Sequence, residues 1–110
     1  MKKVFIILTL CAAVSLVVAV ASTVMADSAK TGEALFKQHC AVCHPDGGNI
    51  VNPKKTLHKK DREANNVKTE ADIMHIMRNP GPGMIKFDAN TIPDKQAKEI
   101  AEYVLKHLQE

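Results

Sequence analysis

Cysteine is scarce, the two signs of charge nearly cancel, and no stretch carries the period-two alternation of a β-strand. The 110 residues hold three cysteines. Cys11 lies inside an apolar N-terminal run, so only Cys40 and Cys43 stand in the polar remainder. A disulfide scaffold would consume that pair, and a structural zinc site would require a second Cys/His pair, which does not follow Cys43. Lysine and arginine number 15 against 12 aspartates and glutamates. Without Lys2 and Lys3, which belong to the N-terminal run, the balance is close to neutral and argues against a nucleic-acid binder. Internal repeats, low-complexity tracts, a P-loop and a dinucleotide-binding glycine fingerprint are also missing. One small domain is the expectation.

The front of the chain is set apart by composition. Met1, Lys2 and Lys3 give a basic start, and Val4 to Val20 is apolar except for Thr9 and Ser15. Val24-Met25-Ala26 then places tolerable residues at the positions a signal peptidase reads, so residues 1–26 are expected to be a secretory signal cut before Asp27. The uncharged run from Val4 to Ala26 is also long enough to span a bilayer, which makes an uncleaved anchor the alternative. Leu10 stands before Cys11 where a lipidated cysteine would want a small residue, so Cys11 reads as part of the signal. Export points to the periplasm, with a membrane-anchored protein facing the periplasm as the alternative. The remaining domain, 27–110, is short enough that a bound group would help complete its core.

What the chain does contain is Cys40-Ala41-Val42-Cys43-His44, the C-x-x-C-H attachment signature of haem c. The chemistry accounts for the spacing. Two thiols about one helical turn apart leave the same side of the chain and reach two vinyl groups on one porphyrin edge. The imidazole that follows projects a nitrogen onto the haem axis. A redox C-x-x-C would have no use for His44. One covalently bound haem c is therefore the expected cofactor.

Around this motif the pattern is helical. Ser28 to Cys40 reads as a first helix with Ala29, Gly32, Leu35, Phe36 and Cys40 on one face, and Gly32 implies close approach of another helix. Pro45 to Pro53 reads as a loop, one of whose carbonyls is expected to accept the second ring N–H of His44. Lys54 to Asn65 is predicted to be a short, mostly solvated helix held by Leu57 and Ala64, with His58 at the surface. Its lysines are either a docking patch for an acidic redox partner or simply a solvated face. Thr69 and Asp72 open a helix ending at Asn79-Pro80, with Ile73, Ile76 and Met77 inward. Gly81-Pro82-Gly83-Met84 is a helix-free turn that ends on a thioether, which makes Met84 the candidate sixth ligand; Met74, Met77 and His75 are the alternatives. Pro93 opens the last helix, whose stripe comprises Ala97, Ile100, Ala101, Val104, Leu105 and Leu108.

These residues resemble a known family. Gly32, Phe36 and Cys40, each four apart, are similar to the first-helix pattern of class I c-type cytochromes, and Ile100 and Tyr103 resemble the pair that packs across that glycine. Gly47-Gly48-Asn49, Lys55-Thr56-Leu57, Met84 with Phe87, and Ile100 to Val104 resemble the cytochrome c-six branch. Asn79 to Met84 resembles its monohaem relatives in metal-reducing bacteria. The resemblance implies an all-α fold of three to five helices around one haem c. Cys40 and Cys43 would be thioether-linked, His44 proximal and Met84 distal. It further implies a monomeric single-electron carrier, not an enzyme, docking transiently with redox partner proteins at the haem edge. A haem enzyme or a gas or peroxide sensor with a labile sixth ligand is the alternative.

Overall fold

The computed structural model describes residues 30–110. The expected signal segment 1–26 and the expected cap Ser28 lie outside the described residues. Helical backbone runs through residues 30–39 (α1). A 3-10 turn at Pro45–Gly47 follows, then α2 (Lys59–Ala64), α3 (Glu70–Arg78) and α4 (Asp94–His107). No strand occurs among the described residues.

The inner stripe of α4 is what the sequence pattern implies. Ala97, Ile100, Ala101 and Val104 are all buried, and with Phe36, Ile73, Met77, Phe87 and Ile92 they form one core. Pro93 stands one position ahead of the helix. Its carbonyl accepts the N–H of Ala97 at 2.9 Å, a bond that its own missing N–H does not disturb. α3 packs against α4, and its start is held reciprocally. Thr69 Oγ1 accepts from Asp72 N, while Asp72 Oδ2 accepts from the backbone of Lys68 and Thr69, both at 2.9 Å. Those donors hold the Asp72 carboxyl below its ordinary range.

α1 crosses α4 at Gly32. A Cβ built there would lie 2.4 Å from the backbone oxygen of Glu99 and 3.0 Å from Tyr103 Cβ, so hydrogen is the only substituent the crossing admits. One turn on, the Phe36 and Tyr103 rings meet with centroids 5.3 Å apart.

The charged segment departs from expectation. Residues 54–58 are not helical, because Asn side chains capture the backbone first. Asn52 Oδ1 accepts from Lys54 N at 3.1 Å, and Asn49 Nδ2 donates to Lys55 O at 2.8 Å. The helix begins only at Lys59. Ala64 is exposed rather than an anchor, and His58 is half-buried with Nδ1 enclosed and without a hydrogen-bond partner. Arg62, expected in the solvated face, is 4% exposed.

Candidate cofactor site

The C-x-x-C-H residues form a tight turn that continues α1. Cys40 N–H donates to Phe36 O at 2.8 Å, and His44 N–H donates to Cys40 O at 2.9 Å. Both thiols are free, Cys40 half-buried and Cys43 exposed. Burial pushes the Cys40 thiol up to about 11, so it is protonated at neutral pH.

The orientation of His44 follows from the turn behind it. At Pro45–Gly47 the chain reverses through a left-handed Asp46 (φ 52°), which brings the Gly48 carbonyl to 2.8 Å from His44 Nδ1. A carbonyl only accepts, so Nδ1 carries the proton and Nε2 presents a lone pair. Among the described residues Nε2 has no partner.

The loop that carries Met84 is pinned on both flanks. Phe87 N–H donates to Met77 O at 2.9 Å. Arg78, at the end of α3, donates to Phe87 O and Ile92 O and pairs with Asp94 at 2.8 Å. Gly83, at φ +90°, lets the loop press onto Val51, whose Cγ1 would lie 2.7 Å from a Cβ there. Met84 is thus held half-buried beside a second loop.

Cys40, Cys43, His44 and Met84 all line one cavity of about 410 Å³. Its walls are largely apolar, with Phe36, Ile73, Ile76, Phe87, Ile100 and Val104 contributing. Of the alternative ligands, Met77 also lines it, from a buried position on α3, whereas Met74 and His75 do not. Two further lining residues carried no signal in the sequence. His39 precedes the motif and meets Phe87 edge-on at 6.3 Å. Arg62 enters from α2. The residues present fit a flat, apolar, covalently held macrocycle: two free thiols three residues apart, an oriented imidazole, a loop thioether and apolar walls.

A helical fold closed around such a cavity, with C-x-x-C-H at its rim, defines a c-type cytochrome. Comparison with known proteins makes the class specific. Residues 27–104 match the family model described as cytochrome c oxidase, cbb3-type, subunit III. Cytochrome c6 of Thermosynechococcus vestitus is 35% identical over 106 residues, 96% of this chain and 92% of that one. Among solved structures, outer membrane cytochrome F (OmcF) of Geobacter sulfurreducens is 51% identical with a TM-score of 0.65, covering 67% of this chain and 94% of that one. Cytochrome c6C of Synechococcus sp. PCC 7002 is 28% identical with a TM-score of 0.67, covering 72% and 95%. The chain belongs to the class I c-type cytochromes, as a monohaem, cytochrome c6-like member. It carries one covalently bound haem c and is an electron carrier that exchanges electrons with redox partners. No helix among the described residues is long and apolar enough to cross a membrane.

Proposed function

We propose that the protein is a periplasmic, non-enzymatic single-electron carrier in which Cys40 and Cys43 hold the haem by thioether bonds and His44 and Met84 are its axial ligands. Haem c supplies a one-electron ferric/ferrous couple. The chain's part is to keep both ligands in place in either state, so that little reorganises on transfer. The observation that carries the reading is His44: it lines the cavity, and with Nδ1 held by Gly48 O at 2.8 Å its Nε2 keeps a free lone pair for a metal. The loop thioether supports Met84 over Met77, whose side chain belongs to the core packing of α3. An apolar pocket and a sulfur ligand favour the ferrous form.

Residues 1–26 would be removed on export. Val42, Ile50, Val51 and Ile85 are exposed apolar side chains, and Val42, Val51 and Ile85 border the cavity. They suit a small, transient docking surface at the haem edge. A monomer suffices for this role.

With His44 and Met84 both bound, no labile sixth position remains. Carbon monoxide added to the ferrous protein at neutral pH is expected to leave the visible spectrum unchanged. Immediate formation of a carbonyl spectrum would instead favour a ligand sensor or a haem enzyme.

A further inference from the structure

Gly47 is buried, although it lies in a turn beside the exposed Pro45 and Asp46. What covers it comes from two distant parts of the chain. A Cβ built at Gly47 would lie 3.1 Å from His58 Cε1, and 3.1 and 3.2 Å from the two methyl carbons of Leu108. His58 stands at the head of α2. Its N–H donates to Thr56 Oγ1 at 3.3 Å, and its carbonyl accepts from Arg62 N at 3.0 Å. Packing rather than bonding keeps the ring in this gap, since its Nδ1 is enclosed with no partner among the described residues. Leu108 is the residue on which α4 ends, half-buried against the core. Its N–H donates to Val104 O at 3.2 Å, and its carbonyl accepts from Arg62 Nη2 at 3.4 Å.

The covered turn is the one that aims His44. Gly47 N–H donates to His44 O at 3.1 Å, and Gly47 O accepts from Leu57 N–H at 2.7 Å. The next carbonyl, that of Gly48, meets His44 Nδ1 at 2.8 Å. Gly47 sits at φ +78°, in the left-handed region that glycine enters freely and also leaves freely. A backbone with that freedom is fixed only by what surrounds it.

We infer that His58 and Leu108 are positioning residues for His44. They press on Gly47 from the head of α2 and the end of α4. That keeps the Gly48 carbonyl on Nδ1 and the imidazole plane fixed about the haem axis. The inference rests on His44 being an axial ligand. It ties that ligand to the last turn of α4, which touches neither His44 nor the attachment cysteines by any hydrogen bond among the described residues.

The test is proton NMR of holoprotein carrying Leu108→Ala or His58→Ala. In the ferric state the haem-methyl shifts depend on the orientation of the axial imidazole plane. In the ferrous state, solvent exchange of the His44 Nδ1 proton reports how often Gly48 O lets go. Each variant should rearrange the methyl shifts. Each should also speed Nδ1 exchange by about tenfold, the scale of one lost hydrogen bond, beyond any change at the amides of Ala101 and Val104. Those amides register a general loss of stability. Leu108→Met, which refills the volume, should restore the wild-type pattern. Wild-type methyl shifts in both alanine variants, or Nδ1 exchange that quickens only as much as the α4 amides, overturn the positioning role and leave the two side chains as packing. If Leu108→Ala yields no holoprotein, His58→Ala decides by the same two readings. Failure of the underlying reading looks different. Without haem the wild type shows no haem-methyl resonances, and without ligation by His44 its ring protons show no paramagnetic shift.

Discussion

Met84→Ala is expected to abolish the weak far-red absorption of a ferric iron–sulfur bond and to lower the reduction potential. Axial ligands move haem potentials over about 0.8 V, and losing the methionine sulfur should account for a drop on the order of a few tenths of a volt. The cause lies in the loop. Gly81-Pro82-Gly83 cannot continue α3, and the segment is fixed by Phe87 N–H to Met77 O and by the three contacts of Arg78. Met84 therefore projects from a braced loop rather than a free one, and its removal should leave the fold and the covalent haem intact. The cleft should then admit carbon monoxide. A far-red band that survives the substitution would transfer the ligand role to Met77, the other methionine lining the cavity.

Gly32→Val is expected to have the largest effect on stability away from the haem. The built Cβ lies 2.4 Å from Glu99 O, a backbone atom that cannot turn aside, and 3.0 Å from Tyr103 Cβ. Any side chain forces α1 off α4 and pulls Phe36 from Tyr103. A loss of about 3 kcal/mol is expected, at the upper end of overpacking penalties. Gly32→Ala separates the causes. Helix propensity alone favours alanine by about 1 kcal/mol, so any loss on that change must come from the crossing. Denaturant unfolding of the two holoproteins measures both. A Gly32→Val variant as stable as wild type would mean that the helices do not meet at this point.

The parts of the molecule that were legible in the sequence are those with a local cause. The α4 stripe follows from a repeat of three and four residues, and the α3 start follows from Thr69 and Asp72 bonding each other's backbone. C-x-x-C-H is a fixed chemical spacing. That a loop carbonyl would hold His44 was also legible, but not which one. Gly48 was selected by the reversal at Asp46; Pro45-Asp46-Gly47 signals a turn, but not which carbonyl the left-handed Asp46 turns toward the ring.

What escaped turns on particular side-chain geometry or on a distant partner. Ile92 is fully buried, yet it sits alone between Thr91 and Pro93, outside any apolar period. It is placed by the Asp88 turn, which takes the N–H groups of Asn90 and Thr91 on Oδ1 and that of Ile92 on its carbonyl. Arg62 looked like one more charge on a solvated helix, because one of its acceptors, Leu108 O, is 46 residues away. The length of α2 was overestimated because Asn49 and Asn52 compete for the backbone, an outcome that depends on side-chain geometry rather than on charge pattern.

The carrier function depends on a single porphyrin joined to Cys40 and Cys43. The intact mass of protein made in an exporting host, taken after extraction with acidified acetone, tests this directly. The predicted mass is that of residues 27–110 plus one haem. A mass equal to the polypeptide alone, with the pigment left in the acetone, would contradict it.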